Sequence, residues 1–139
     1  MASTQPKIRF VNPPTLHAPR GYSHLAEVQS GRTLYVAGQV ALDLSGNVVG
    51  RGDFLAQARQ VFENIKAALI AAGTGFENVV KINIYATASF DEKQLPAFRE
   101  IRDSYVNVTN PPTSTFVIVH RLVREEFLLE IEAVAVIPE

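Results

Sequence analysis

The chain has 139 residues, a length typical of one domain, and carries 13 basic against 14 acidic side chains, for a net charge of −1. Hydrophobic residues make up 47% and charged residues 19% of the sequence, a balance that excludes an intrinsically disordered chain. Because cysteine is absent, disulfides, cysteine-ligated zinc and a cysteine nucleophile are excluded. The near-zero net charge argues against a nucleic-acid-binding surface, and the low charged fraction hints at the extra burial of an oligomer.

The termini and loops predict a single domain without targeting segments. Residues 1–6 are polar and lack the apolar core of a signal peptide. No run approaches the roughly 18 apolar residues of a membrane span. We interpret the proline-rich stretches at 12–14 and 110–112 as loops, and we expect one domain over residues 1–139, located in the cytoplasm.

The hydrophobic pattern predicts the element order β-β-β-α-β-α-β-β. Alternating and continuous apolar runs predict the strands, of which the second and third are expected to form a hairpin across the turn at 29–32. The last two strands are expected to be antiparallel neighbours. The predicted strands cover residues 7–11, 22–28, 33–40, 79–86, 115–120 and 127–137.

Two helices complete the predicted fold. Asp53 is a suitable N-cap and Gly73 a suitable left-handed C-terminal residue, and apolar residues recur with helical period between them, so a helix is predicted over 53–72. Phe98, Ile101 and Tyr105 mark a second helix. The order favours an α+β fold, a two-layer sandwich with both helices on one face of a mixed sheet. The other face still carries apolar residues and needs a partner surface.

Two glutamates interrupt the otherwise apolar last strand. Glu130 and Glu132 lie two residues apart, so they share one face of the strand. That face is either simply exposed, or it places one carboxylate in a cleft where burial raises its pKa toward that of a useful acid or base. Arg121 and Arg124 are candidate partners of these glutamates, unless they only belong to a charged loop.

Other single residues are ambiguous on their own. Gly38 interrupts a strand, which indicates either a close approach of a ligand or backbone, or a bulge. Tyr22 belongs either to the core or to the lining of a cleft. The histidines, His17, His24 and His120, have no metal-ligand spacing, so no metal site is predicted.

Short segments spread over nearly the whole chain form a specific combination. They are Gly21-Tyr22-Ser23, Val36-Ala37-Gly38-Gln39-Val40, Ala56-Gln57-Ala58-Arg59-Gln60, Asn64-Ile65-Lys66, Ala71-Ala72-Gly73, Val79-Val80-Lys81, Asn110-Pro111-Pro112 and Glu130-Ile131-Glu132-Ala133-Val134-Ala135-Val136. On these residues the chain resembles the RidA (YjgF/L-PSP) family. The resemblance implies a chorismate-mutase-like fold and a homotrimer whose sheets form a central barrel, with clefts between subunits.

The resemblance also implies a reaction and residues for it. Active members hydrolyse reactive 2-imino acids or enamines to 2-keto acids and ammonia, without a cofactor. The family's cleft tyrosine corresponds to Tyr22 and its strand glycine to Gly38, with Ala37 beside it in the substrate site. The glutamate that positions the attacking water corresponds to Glu130.

One family position is changed in this chain. The resemblance implies an arginine that clamps the substrate carboxylate at position 114, where Ser114 stands, and many members have a cysteine where this chain has Phe116. Loss of a two-pronged clamp costs on the order of 3 kcal/mol, about a hundredfold in binding. Arg99, Arg102 and Arg121 are candidates to replace it.

Three functions therefore stay open. The first is an imine or enamine deaminase, and the second is a diverged, non-catalytic trimer that binds a small molecule such as a small carboxylate. The third is an endoribonuclease of the L-PSP type, which the charge of −1 and the absence of a basic stripe disfavour.

Overall fold

The computed structural model of the chain describes residues 4–139, so the first three residues of the polar N-terminal segment lie outside it. Within this range, neither α-helix is long and apolar enough to cross a membrane. Short 3₁₀ turns lie at Phe76–Asn78 and Glu92–Gln94. The elements in chain order are β1 (Ile8–Val11), β2 (Leu25–Val28), β3 (Arg32–Gln39), α1 (Phe54–Ala72), β4 (Val79–Thr87), α2 (Leu95–Asp103), β5 (Thr113–Val119) and β6 (Leu129–Ile137).

The main sheet contains four strands in the order β3-β6-β4-β5, and β1 and β2 form a separate antiparallel pair. β6 is antiparallel to both β3 and β4, whereas β4 and β5 are parallel. The core lies between one face of this sheet and the two helices. The predicted element order and the α+β sandwich with a mixed sheet are confirmed.

Two predicted strand pairings are wrong. The predicted hairpin of strands 22–28 and 33–40 does not form, because β2 pairs with β1 while β3 pairs with β6. The last two strands are not neighbours, because β4 lies between β5 and β6. α2 connects β4 to β5, and a crossover of this kind brings two strands together in parallel.

The first helix begins and ends as its sequence predicts. The Asp53 carboxylate accepts a hydrogen bond from the amide of Ala56 at 3.0 Å, and Gly73 closes the helix with φ of 85°. The apolar face between them packs on the sheet as part of the core. α2 ends at Asp103, before Tyr105, whose ring instead stacks on Phe62 with centroids 5.2 Å apart.

Gln57, in one of the recognised segments, is a fully buried polar residue that holds backbone together. Its side-chain nitrogen donates to the carbonyls of Gly50 at 3.1 Å and Glu126 at 2.9 Å, and its oxygen accepts from the amide of Leu128 at 2.9 Å. The contacts join the loop before α1 to the entry of β6. Gln57 therefore positions the strand that carries Glu130.

Candidate active site

A cavity of about 530 Å³ lies between α2 and β5. Tyr22, Ser114 and Phe116, which the sequence assigned to the substrate site, all line it. Ser114 and Phe116 point toward the helices, because their neighbours on β4, Ile82 and Ile84, are buried in the core. The structure thus brings three of the six predicted site residues together.

The loop that carries Tyr22 is fastened to the start of β5. The amide of Ser23 donates to the carbonyl of Pro112 at 3.1 Å, and its hydroxyl donates to the carbonyl of Pro111 at 2.6 Å. Ser23 is 1% exposed. These two hydrogen bonds hold the residue next to Tyr22 and so fix Tyr22 in the cavity lining.

The hydroxyl of Tyr22 shares a hydrogen bond of 2.8 Å with Nε2 of His17. The His24 ring packs edge-on against Tyr22, with centroids 5.4 Å apart, and its Nε2 lies 2.7 Å from the carbonyl of His17. The spacing of these histidines in the sequence bears only on metal binding and does not predict this cluster. No periodic pattern could have revealed it, because the three residues lie in a loop.

Cationic side chains form one side of the cavity. Arg99 and Arg102 are three residues apart and line it from α2, and Arg20 lines it from the loop before Tyr22. Glu92 is the acidic residue of the lining. Of the arginines considered as replacements for the one missing at Ser114, Arg99 and Arg102 therefore reach the cavity.

Arg121 and Arg124 lie outside the cavity, in the loop before β6. Arg121 donates to the carbonyls of residues 122 and 123, and its guanidinium is 4.0 Å from the carboxylate of Glu125. Arg124 pairs with Glu126. The predicted pairing of these arginines with the glutamates of β6 is wrong, because acidic residues of the same loop lie nearer. The alternative of a charged loop is confirmed.

Glu130 and Gly38 meet on the opposite face of the sheet. The neighbours of Glu130 in β6 are buried in the core, so its own side chain points away from the helices. A Cβ on Gly38 would overlap the carboxylate of Glu130 and lie 2.8 Å from its Cδ. The register of β3 against β6 also shifts between Val36 and Gln39. Of the two alternatives for this glycine, the bulge is confirmed, and the group that approaches it closely is the side chain of Glu130, not backbone.

Glu132 occupies the same face as Glu130, as predicted, but it is held differently. Its carboxylate accepts hydrogen bonds from the hydroxyl of Tyr85 at 2.6 Å and the amide of Asn83 at 3.0 Å. These bonds lower the pKa of Glu132, so the alternative of a carboxylate with a raised pKa is wrong for this residue. Ala37 lines a shallow depression beside Glu132.

Comparison with known proteins identifies the family. The family model described as endoribonuclease L-PSP matches residues 14–137. The chain belongs to the RidA/YjgF/L-PSP family. A RutC family protein of Pyrococcus horikoshii is 34% identical over 110 residues, which are 78% of this chain and 82% of that protein. The 2-iminobutanoate/2-iminopropanoate deaminase of Dermatophagoides farinae is 30% identical over 130 residues, 93% of this chain and 96% of that enzyme.

Solved structures of similar proteins have the same fold. YyfB of Yersinia pestis, a Rid-family protein of unknown function, is 35% identical with a TM-score of 0.82 over 94% of this chain and 98% of that one. TdcF of Escherichia coli, solved with bound serine, is 29% identical with a TM-score of 0.64, covering 76% of this chain and 81% of that one. The α+β fold of the chain is therefore confirmed as that of the family.

Proposed function

We propose that this chain hydrolyses a small imine or enamine to a keto compound and ammonia. The observation that carries the proposal is the contact between Glu130 and the backbone at Gly38, which holds a carboxylate over a bulged stretch with no side chain. The hydroxyl of Tyr85 donates its hydrogen bond to Glu132 and not to Glu130, so the carboxylate of Glu130 is available to bind a water molecule. Relatives named 2-iminobutanoate/2-iminopropanoate deaminase support this choice of reaction.

The site is completed between subunits of a homotrimer. Tyr22 and Ser114 line the cavity on the helix side of the sheet, whereas Glu130 lies on the other side, so one chain alone does not present them to one substrate. Side chains on the Glu130 face such as Tyr35, which is 80% exposed, and Val117, which is 40% exposed, are available to a second copy. Light scattering is expected to give three times the chain mass of 15.3 kDa, and a monomer would contradict this assembly.

The reaction consumes one water and needs no net change in oxidation state. Glu130 accepts a proton from the water as its oxygen bonds to the imine carbon, which gives a carbinolamine. The same carboxyl group returns the proton to the nitrogen. Glu130 then takes the hydroxyl proton of the carbinolamine and passes it to the same nitrogen, so that the carbon–nitrogen bond breaks as the carbonyl forms and ammonia leaves. Tyr22, held by its hydrogen bond to His17, orients the substrate.

The test is ammonia release from 2-iminobutanoate generated in the cuvette by a threonine dehydratase. The folded trimer is expected to accelerate the release over buffer. Glu130→Gln should lower the rate by roughly 10²- to 10⁴-fold. Glu125→Gln, a matched change at a carboxylate that is 86% exposed, should not alter it. A folded trimer that leaves the buffer rate unchanged would overturn the assignment for this substrate.

A second candidate is a trimer that binds a small molecule without converting it. It is favoured by Ser114, which offers one neutral hydroxyl in the cavity wall where the family resemblance implies an arginine. If the wild type binds small carboxylates but does not release ammonia, and Ser114→Arg introduces release, the second candidate replaces the first. The cytoplasmic location and the independence from a cofactor stay predictions.

A further inference from the structure

We propose that the cavity binds an anionic ligand with a bulky apolar body, and that Arg102 of α2 binds its anionic group. The inference rests on the proposed function only in taking this cavity as the substrate site. The substrate class is an aryl- or branched-chain carboxylate. The binding residue lies on α2, whereas Ser114 lies on β5.

The guanidinium of Arg102 is held in a fixed place. The side chain is 9% exposed, and the Asp103 carboxylate lies 2.9 Å from Nη2 and 3.0 Å from Nε. Gly21 also packs against the guanidinium: a Cβ there would overlap Nη2 and lie 2.9 Å from Cζ. Gly21 has φ of 75°, which L side chains rarely adopt. Both features preorganise the group, and a preorganised donor loses less entropy when it binds.

Part of this guanidinium remains available to a ligand. It has five N–H donors, and Asp103 engages only the Nε and Nη2 side. Within residues 4–139 Nη1 has no acceptor, and no buried side-chain nitrogen is left without one, so Nη1 is not fully buried, and Arg102 is part of the cavity lining. An anion in the cavity would supply the missing acceptor.

The charges around the cavity also favour an anion. Arg20, Arg99 and Arg102 line it against the single acid Glu92. Asp103 offsets one positive charge, and a positive excess remains. Because apolar walls flank these groups, the attraction is screened less than on an open surface. A neutral ligand would use none of this charge.

The apolar side of the cavity selects the rest of the ligand. Phe90 and Phe98 both pack on Phe116, with ring centroids 5.2 Å and 5.6 Å apart, and Leu95 and Ile118 extend this wall. The volume of about 530 Å³ is ordinary for a ligand the size of an aryl acid and far larger than acetate requires. The wall and the arginines together fit an amphiphilic carboxylate.

Calorimetry on the assembled protein with unreactive probes tests the inference. Phenylacetate is expected to bind at least tenfold more tightly than its neutral isostere phenylacetamide, and more tightly than acetate. Arg102→Gln should weaken phenylacetate binding roughly tenfold to a hundredfold. Arg99→Gln provides a second variant at a less buried position and should weaken it severalfold. Arg59→Gln, an exposed arginine on α1, is the matched control and should bind like the wild type.

Each outcome decides the question. Equal binding of the acid and the amide, or no binding of phenylacetate, overturns the inference without any variant, so a misfolded Arg102→Gln does not obscure the result. Wild-type affinity in both cavity variants overturns it as well. If phenylacetate binds more tightly than phenylacetamide but no imine is hydrolysed, the proposed reaction fails and the ligand class stands. If ammonia is released but the two probes bind equally, the ligand class fails and the proposed reaction stands.

Discussion

Replacing Gly38 by alanine separates activity from stability. The new Cβ would lie 2.8 Å from Cδ and 2.9 Å from Cγ of Glu130, and atoms at ordinary contact are about 3.5–4.0 Å apart. The carboxylate must therefore withdraw by about 1 Å. A misplacement of that size in a reacting group costs up to about a hundredfold in rate. We expect kcat for imine hydrolysis to fall between tenfold and a hundredfold.

The same substitution should leave the fold intact. Gly38 does not have a positive φ, so alanine adopts its backbone conformation, and the overlap falls on a flexible side chain. Glycine in a strand also costs about 0.5–1 kcal/mol relative to alanine. The free energy of unfolding in urea should stay within about 1 kcal/mol of the wild type.

A matched control exists at Gly75, which also has an extended backbone and whose Cβ would meet the carboxylate of Glu77. Gly75→Ala should retain full activity. An unchanged kcat in folded Gly38→Ala would refute the link between the position of Glu130 and the rate. A loss of more than about 2 kcal/mol in stability would refute the packing argument.

Three further changes test the fold around the site. Gln57→Leu removes three hydrogen bonds from a fully buried group and should lower the free energy of unfolding in urea by about 2–4 kcal/mol; a loss under 1 kcal/mol would contradict it. The pKa of Glu132 is lower in the folded protein than in the unfolded chain, where it is about 4.3. The ionised carboxylate therefore stabilises the fold above about pH 4.3, and that stabilisation is lost as the pH falls through the folded-state pKa. Tyr85→Phe should therefore be less stable than the wild type at pH 7 and converge with it near pH 3, and a pH-independent difference would oppose this. Asp53→Ala removes the N-cap of α1 and should lower the free energy of unfolding, measured by thermal unfolding, by about 1 kcal/mol. An unchanged stability would contradict the role of Asp53 as a cap.

The parts of the fold that the sequence predicts well depend on neighbours along the chain. Asp53 and Gly73 form the two ends of α1 through contacts with residues three or four positions away. The limits of this helix can therefore be predicted from its own residues. The pairing of β5 with β4 depends on where α2 returns the chain, which apolar patterning does not encode. The sequence predicts the strands, but two of the predicted pairings between strands are wrong.

The candidate site follows the same division. The resemblance implies site roles for Tyr22 and Glu130; Tyr22 lines the cavity and Glu130 lies against Gly38, and both roles stay predictions. Arg102 was only one of several candidate cations, because a helical sequence does not reveal which arginine faces a cavity. The sequence gives no signal for His17, because its hydrogen bond to Tyr22 is made within an irregular loop.

The central position of β6 has a consequence for folding during synthesis. β3 and β4 are both hydrogen-bonded to β6, which is the last element in chain order, and not to each other. While the chain is emerging from the ribosome, β3 has no partner in the main sheet until β6 has left the exit tunnel. Contacts of this long sequence separation slow folding and leave apolar strand edges unprotected meanwhile. Nascent chains that stop before β6 are therefore expected to be substrates for chaperones and proteases.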